Sequence, residues 1–145
     1  MSTVSIYLNF PRNTEEAFLF YQSVFGGEFE GEIARMGDVP LMEGQPPIAE
    51  EDKNLVMHVC LPIFDNFKLM GTDAPESMGF TVVQGNNAFI NLLVDTRAQS
   101  EEIFASLAEG GEVEMPLQDM FWGDYFGSLT DKFGIKWMVN CSEKV

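Results

Sequence analysis

Val4-Ser5-Ile6-Tyr7-Leu8-Asn9-Phe10 alternates apolar and polar side chains, and Pro11 ends the run. Period two over such a stretch is a strand with one apolar face. Asn13 or Thr14 stands where a following helix needs its cap. Glu15 and Glu16 fill the first turn, against the positive end of the helix dipole. Ala17, Phe18, Tyr21, Val24 and Phe25 recur at helical spacing as one apolar stripe, and Gly26-Gly27 stops it. The same strand–helix–glycine order returns further along. A shift of 84 residues lays Ile6 on Ile90, Leu8 on Leu92, Phe10 on Val94, Phe20 on Phe104 and Gly26-Gly27 on Gly110-Gly111. The same shift lays Glu28 on Glu112 and Glu30 on Glu114.

Between and after these copies the pattern predicts further strands at about 28–36, 54–62 and 67–73 in the first half. In the second half it predicts strands at about 88–95, 112–116, 124–130 and 135–141, with a helix at about 98–109. Phe67-Lys68-Leu69-Met70 matches Ile135-Lys136-Trp137-Met138 at a shift of 68. The two shifts differ by 16 residues, nearly the length of the segment 37–53. That segment holds Pro40, Pro46 and Pro47 among repeated acids, and reads as an exposed, mobile loop inserted in the first copy. The reading is therefore an α+β fold of one domain, 1–145, built from two paired βαβββ modules at about 1–77 and 78–145. Each helix packs on the convex side of its strands. The concave sides are left to form a half-barrel cleft, the kind of concavity that ligands favour.

Eight Lys and Arg against 23 Asp and Glu give a net charge of −15. Such a chain repels phosphate backbones and anionic headgroups, so neither nucleic acid nor a membrane surface is an expected partner. The first residues carry no charged segment ahead of an apolar run, and no apolar stretch is long enough to span a bilayer. The expected location is the cytoplasm, where Cys60 and Cys141 act as small buried hydrophobes. One histidine and no CxxC pair exclude zinc-finger and HExxH sites.

Phe121-Trp122-Gly123-Asp124-Tyr125-Phe126-Gly127, followed by Thr130-Asp131-Lys132-Phe133-Gly134-Ile135-Lys136-Trp137, resembles the FWG…FG…DPFGxW signature of PhnB-like proteins. These belong to the vicinal oxygen chelate superfamily, with glyoxalase I, extradiol dioxygenases and bleomycin-resistance proteins. Met57-His58-Val59 and Gly71-Thr72-Asp73-Ala74 are similar to two further segments of that family, and the likeness runs from Tyr7 to Asn140. The chain departs from the pattern at Lys132, where proline is usual, and at Ile135, where histidine is common. The resemblance implies the paired-module fold and a homodimer. It also implies where a divalent ion is held in metal-using members: four strand positions that match Ser5, Met70, Phe89 and Met138 here. A hydroxyl, two thioethers and a phenyl ring are not ligands for Zn²⁺, Mn²⁺ or Fe²⁺. A slip of two residues offers Tyr7, Thr72, Asn91 and Asn140, again without a histidine or carboxylate. No metal and no other cofactor is therefore expected. A methyltransferase reading finds no glycine-rich nucleotide loop after a strand.

By strand alternation Ser5, Tyr7, Asn9, Met70, Thr72, Phe89, Asn91, Met138 and Asn140 line the cleft, with His58 on the less bulky face of its strand. Trp122, with Phe121 and Tyr125, can wall a flat ligand. His58 is the first candidate for any proton transfer near neutral pH. Two functions follow. One is metal-independent binding of a small molecule, aromatic or cationic given the aromatic walls and negative charge. The other is an enzyme of the lyase, isomerase or dioxygenase type, using His58 or a metal outside the usual four positions.

Overall fold

The structure, a computed structural model, describes residues 1–144. They fall into two compact units, Met1–Val82 and a second that begins at Val83. The first runs β1 (Ile6–Phe10), α1 (Thr14–Phe25), β2 (Ala34–Arg35), β3 (Val56–Ile63) and β4 (Phe67–Asp73). The second runs β5 (Ile90–Val94), α2 (Arg97–Ala108), β6 (Glu112–Asp119), β7 (Tyr125–Thr130) and β8 (Lys136–Cys141). Strand order is β1-β4-β3-β2 in one sheet and β5-β8-β7-β6 in the other. In each, the first and last strands of the unit pair in parallel, and the remaining pairs are antiparallel. Both are mixed four-stranded sheets, and neither closes into a barrel. This is the α+β, twice-βαβββ architecture expected from the sequence. The repeat extends to register: Tyr7 stands opposite Met70 and Asn91 opposite Met138, the partners that shifts of 84 and 68 residues interchange.

Alternation sends Leu8 and Phe10 of β1, Val59, Leu61 and Ile63 of β3 and Leu69 of β4 into the core, under Ala17, Phe18 and Tyr21 of α1. Phe18 meets Phe10 and Tyr21 edge-to-face, at ring-centroid distances of 6.3 and 5.6 Å. Gly71 lies under Phe18, so close that a Cβ there would stand 2.6 Å from the ring. In the second unit Ile90, Leu92, Val94, Leu129, Trp137 and Val139 pack with Ile103, Phe104 and Leu107. There Gly127 of β7 makes the room, beneath Phe104.

Two buried aspartates tie the strands together. Asp73, at the end of β4, accepts from the Thr14 backbone N–H (3.0 Å) and hydroxyl (2.7 Å) and from the Val56 N–H (2.8 Å). Asp73 thus caps α1 from a distant strand. The expected local cap is not made, since neither the Asn13 nor the Thr14 side chain bonds to the first-turn amides. In α2 the local rule holds, and the Thr96 hydroxyl accepts from the Gln99 N–H at 3.1 Å. Asp131 accepts from the Phe133 and Ile135 N–H groups (2.8 and 3.0 Å) and from the Trp137 indole (2.9 Å).

Three boundaries depart from the sequence reading. The strand expected over 28–36 is reduced to Ala34–Arg35. Glu30 still donates its N–H to the Cys60 carbonyl, but Gly31 then turns at positive φ and interrupts the ladder. β6 continues past Pro116 to Asp119, because it is an edge strand and the irregular pairing between Met115 and Gln118 accommodates the proline. The segment 37–53 is flanked at its two ends by 3₁₀ turns, Met36–Asp38 and Glu50–Asp52. Its neck is closed by the Gly37 N–H on the Lys53 carbonyl, and buried Asp52 bonds both Arg12 and Ser77 at 2.8 Å.

Candidate functional site

In each unit the sheet has one face under its helix and one face free of it, and the candidate residues stand on the free faces. In the first unit Tyr7 is opposite Met70, Asn9 opposite Thr72, and Cys60 opposite Met70 from the other side. His58 lies two residues before Cys60 and shares its face. Tyr7 reaches across β4 to His58, with its phenolic oxygen 2.9 Å from the imidazole Nδ1. The two rings are 5.7 Å apart and tilted by 37°. Ser5 donates its hydroxyl to the Met70 sulfur at 3.7 Å. Thr72 turns its hydroxyl to the backbone carbonyls of Val56 and Asp73, both at 3.3 Å. Thus Ser5, Tyr7, His58 and Met70 come together, while Thr72 spends its hydrogen bond on the strand.

Glu30 joins this face and was missed by the reading of candidate residues. Its carboxylate pairs with the Lys68 ammonium at 2.8 Å and lies 3.9 Å from the Cys60 sulfur. The Lys68 hydrogen bond and charge pull the Glu30 carboxyl below its usual range. Burial, then the Glu30 charge, pushes the Cys60 thiol up, so Cys60 is no thiolate nucleophile at neutral pH. Burial also raises the Tyr7 phenol, which stays protonated and able to donate.

The free face of the second unit is more apolar. Thr130 stands opposite Lys136, Ser128 opposite Met138, and Phe126 opposite Asn140. Asn91 and Leu93 face Met138 and Asn140 from β5. The Asn140 amide donates to Asp124 at 3.2 Å. Lys136 bonds Glu114 (2.7 Å) and Thr130 (2.9 Å), and its ammonium lies 5.3 Å from the centre of the Phe89 ring. Trp122, half exposed on the turn between β6 and β7, packs edge-on to Phe121 and Phe126 at 4.9 and 6.0 Å. Phe126 therefore takes the place in the aromatic wall expected of Tyr125, which alternates to the helix side, where its hydroxyl donates to Glu101 at 3.0 Å and the Arg97 guanidinium lies 3.8 Å from its ring centre. Lys68–Glu30 and Lys136–Glu114 are the same ion pair twice, and the sequence shifts had aligned both members.

The metal ligands of this fold do not fit here. Ser5 is occupied with a thioether, Phe89 carries an ammonium on its ring, and Met70 and Met138 offer only sulfur. Among the described residues no three His, Cys, Asp or Glu side chains gather closely enough to hold an ion.

Two α+β units of identical topology, each presenting one helix-free sheet face, define a duplicated-module protein. Residues 7–139 match the family described as the Glyoxalase/Bleomycin resistance protein/Dioxygenase superfamily, and the chain belongs to it. Protein YjdN of Escherichia coli is 29% identical over 144 residues, spanning 94% of this chain and 93% of its own. The crystal structure of protein PA1353 from Pseudomonas aeruginosa superposes with a TM-score of 0.83 at 36% identity, covering 99% of this chain and 100% of that one. A PhnB protein from Bacillus cereus gives 0.71 at 25% identity, over 97% and 99% of the two chains. No helix among the described residues is long and apolar enough to cross a membrane.

Proposed function

We propose that the protein binds a small organic molecule on a helix-free sheet face without help from a metal. The observation that carries this reading is the chemistry at the four positions matching the superfamily's ligands: Ser5 on the Met70 sulfur, Phe89 under the Lys136 ammonium, and Met138. Thioethers and aromatic rings make adaptable apolar contacts, as small-molecule sites require. On the face of the second unit, Phe121, Trp122 and Phe126 offer flat surfaces for an aromatic body. The net charge of −15 favours a neutral or cationic ligand over an anion. We also infer a homodimer, because β6 is an edge strand with Val113 and Met115 exposed.

The alternative is an enzyme working through His58, which its bond to Tyr7 favours by holding the ring in one orientation. A thermal-shift screen of aromatic and cationic compounds, with and without chelator, separates the two. Stabilisation indifferent to chelator supports binding. One equivalent of Zn²⁺, Mn²⁺, Ni²⁺ or Fe²⁺ held at micromolar affinity after chelator dialysis, and lost in His58→Ala, overturns it. Light scattering that finds only the 16.3 kDa monomer at micromolar concentration overturns the homodimer.

A further inference from the structure

The two helix-free faces differ in one respect that the repeat brings out. The Lys–Glu pair occurs in both units and satisfies itself, so it belongs to the shared scaffold. The Tyr7–His58 pair occurs in one. Under the shifts of 84 and 68 residues its counterparts are Asn91 and Phe126, which supply no such bond. Around the pair, Ser5 is spent on the Met70 sulfur, Thr72 on two backbone carbonyls and Glu30 on Lys68. The imidazole is bonded at Nδ1, and among the described residues its Nε2 has no hydrogen-bond partner. His58 is partly exposed, so a ligand can reach that nitrogen.

Which nitrogen carries the proton decides what Nε2 can do. A neutral imidazole has one N–H and one bare nitrogen. The bare nitrogen is a far stronger base than a phenol oxygen, and the phenol O–H is a stronger acid than a neutral imidazole N–H. The 2.9 Å contact is therefore O–H···N, with Tyr7 donating to Nδ1. The ring proton then sits on Nε2, on the far side of the ring from the phenol. A nitrogen that holds its proton offers no lone pair to a metal ion and takes no proton from a substrate. It donates instead, as a neutral imidazole does to a carbonyl oxygen. An ammonium head, which has only donors, finds nothing to bond there. Glu30 and the net charge of −15 disfavour a carboxylate or phosphate. What remains is a neutral acceptor.

We propose that His58, held by Tyr7, donates its Nε2 hydrogen to the acceptor oxygen of a neutral ligand, a carbonyl or an N-oxide. Tyr7 is a positioning residue: it fixes which nitrogen carries the proton and how the ring is turned. Met70, opposite Tyr7 on the same face, gives a soft apolar contact for the body of the ligand. This rests on the small-molecule-binding reading above and adds the ligand class. It narrows that reading at one point, since a cationic head is not met at His58.

The tautomer is read first, without a ligand. As the chain has a single histidine, long-range proton–nitrogen NMR correlation at mildly alkaline pH reports its two ring nitrogens directly. The expected result is a protonated Nε2 and a bare Nδ1 in the wild type, with the two signals moving toward one another in Tyr7→Phe as the second tautomer appears. A wild-type ring protonated on Nδ1, or a spectrum unchanged in Tyr7→Phe, overturns the proposal. The probes are N-methyl-2-pyridone, which accepts but cannot donate, and indole, which donates but has no acceptor oxygen, each titrated by NMR. Binding of N-methyl-2-pyridone is expected to weaken about fivefold in His58→Phe, the net worth of one neutral hydrogen bond, while that of indole does not weaken. This substitution copies the second unit, where Phe126 holds the matching place. Its unfolding temperature separates a lost donor from lost folding, and the wild-type tautomer tests the proposal whether or not the variant folds. Undiminished binding of N-methyl-2-pyridone, or an equal or larger loss for indole, overturns it. Should neither probe bind while the screen yields other chelator-indifferent ligands, the binding reading stands and the donor proposal alone falls. If the screen yields none, both fall.

Discussion

Replacing Asp131 with alanine removes one buried acceptor from three donors: the Phe133 and Ile135 amides and the Trp137 indole. Asp131 is 3% exposed and Trp137 fully buried, so water has little access to the donors left behind. A buried donor stripped of its partner costs about 1–3 kcal/mol. Relaxation of the turn recovers part of three such costs, which leaves an expected loss of about 4 kcal/mol. For a domain stable by about 5–15 kcal/mol this is a large fraction. With a urea slope of about 2 kcal/mol per molar, the unfolding midpoint falls by about 2 M. The assay is equilibrium urea unfolding followed by tryptophan fluorescence, with Trp137 as reporter and half-exposed Trp122 contributing a weaker change. Asp131→Asn keeps one acceptor oxygen and is expected to lose about half as much. A midpoint shift below about 0.5 M for the alanine variant, at unchanged slope, would refute the claim that this carboxylate holds the β7–β8 connection.

Gly71→Ala is expected to cost about 1–3 kcal/mol by overpacking against Phe18, and Phe18→Leu in the same chain should return part of that loss in urea unfolding. Glu15 accepts two hydrogen bonds from Arg35 at 2.7 and 3.0 Å, and they hold its carboxyl below the ordinary value. A depressed folded pKa contributes stability that is present above the unfolded value and is lost as pH falls through the folded one. Stability measured from pH 7 downward should therefore fall less steeply below the usual carboxylate range in Arg35→Gln than in the wild type. A parallel pair of curves would count against the linkage. A glutamate-specific protease should cut first at Glu43, on the exposed stretch between the two 3₁₀ turns. First cleavage within α1 or α2 would contradict that order of local stability.

The motif Asp131–Trp137 illustrates how far a likeness in sequence reaches. As residues it pointed to a family; in the fold it is a turn whose aspartate satisfies two amides and an indole. His58 and Tyr7 were each legible as free-face residues, because alternation assigns a side chain to a face wherever a strand is regular. Their bond was not legible, since it spans 51 positions and depends on β4 lying between their strands. Glu30 was obscured for another reason: Gly31 breaks the strand pattern beside it, and only the repeat marked its place. Asp73 as a cap for α1 had no local signal, because the helix and its capping carboxylate come from distant parts of the chain.

Periodicity, glycine stops and duplication by themselves determined the order of the elements and the face that residues take in the regular strands, since those follow from interactions within a few residues of the backbone; the extents of β2 and β6 did not follow from them. Which side chains meet on a face depends on strand order and register. The core sets these through the fit of Phe18 over Gly71 in one unit and Phe104 over Gly127 in the other. That fit is a property of volumes packed from distant segments, and only the tertiary structure brings them into contact.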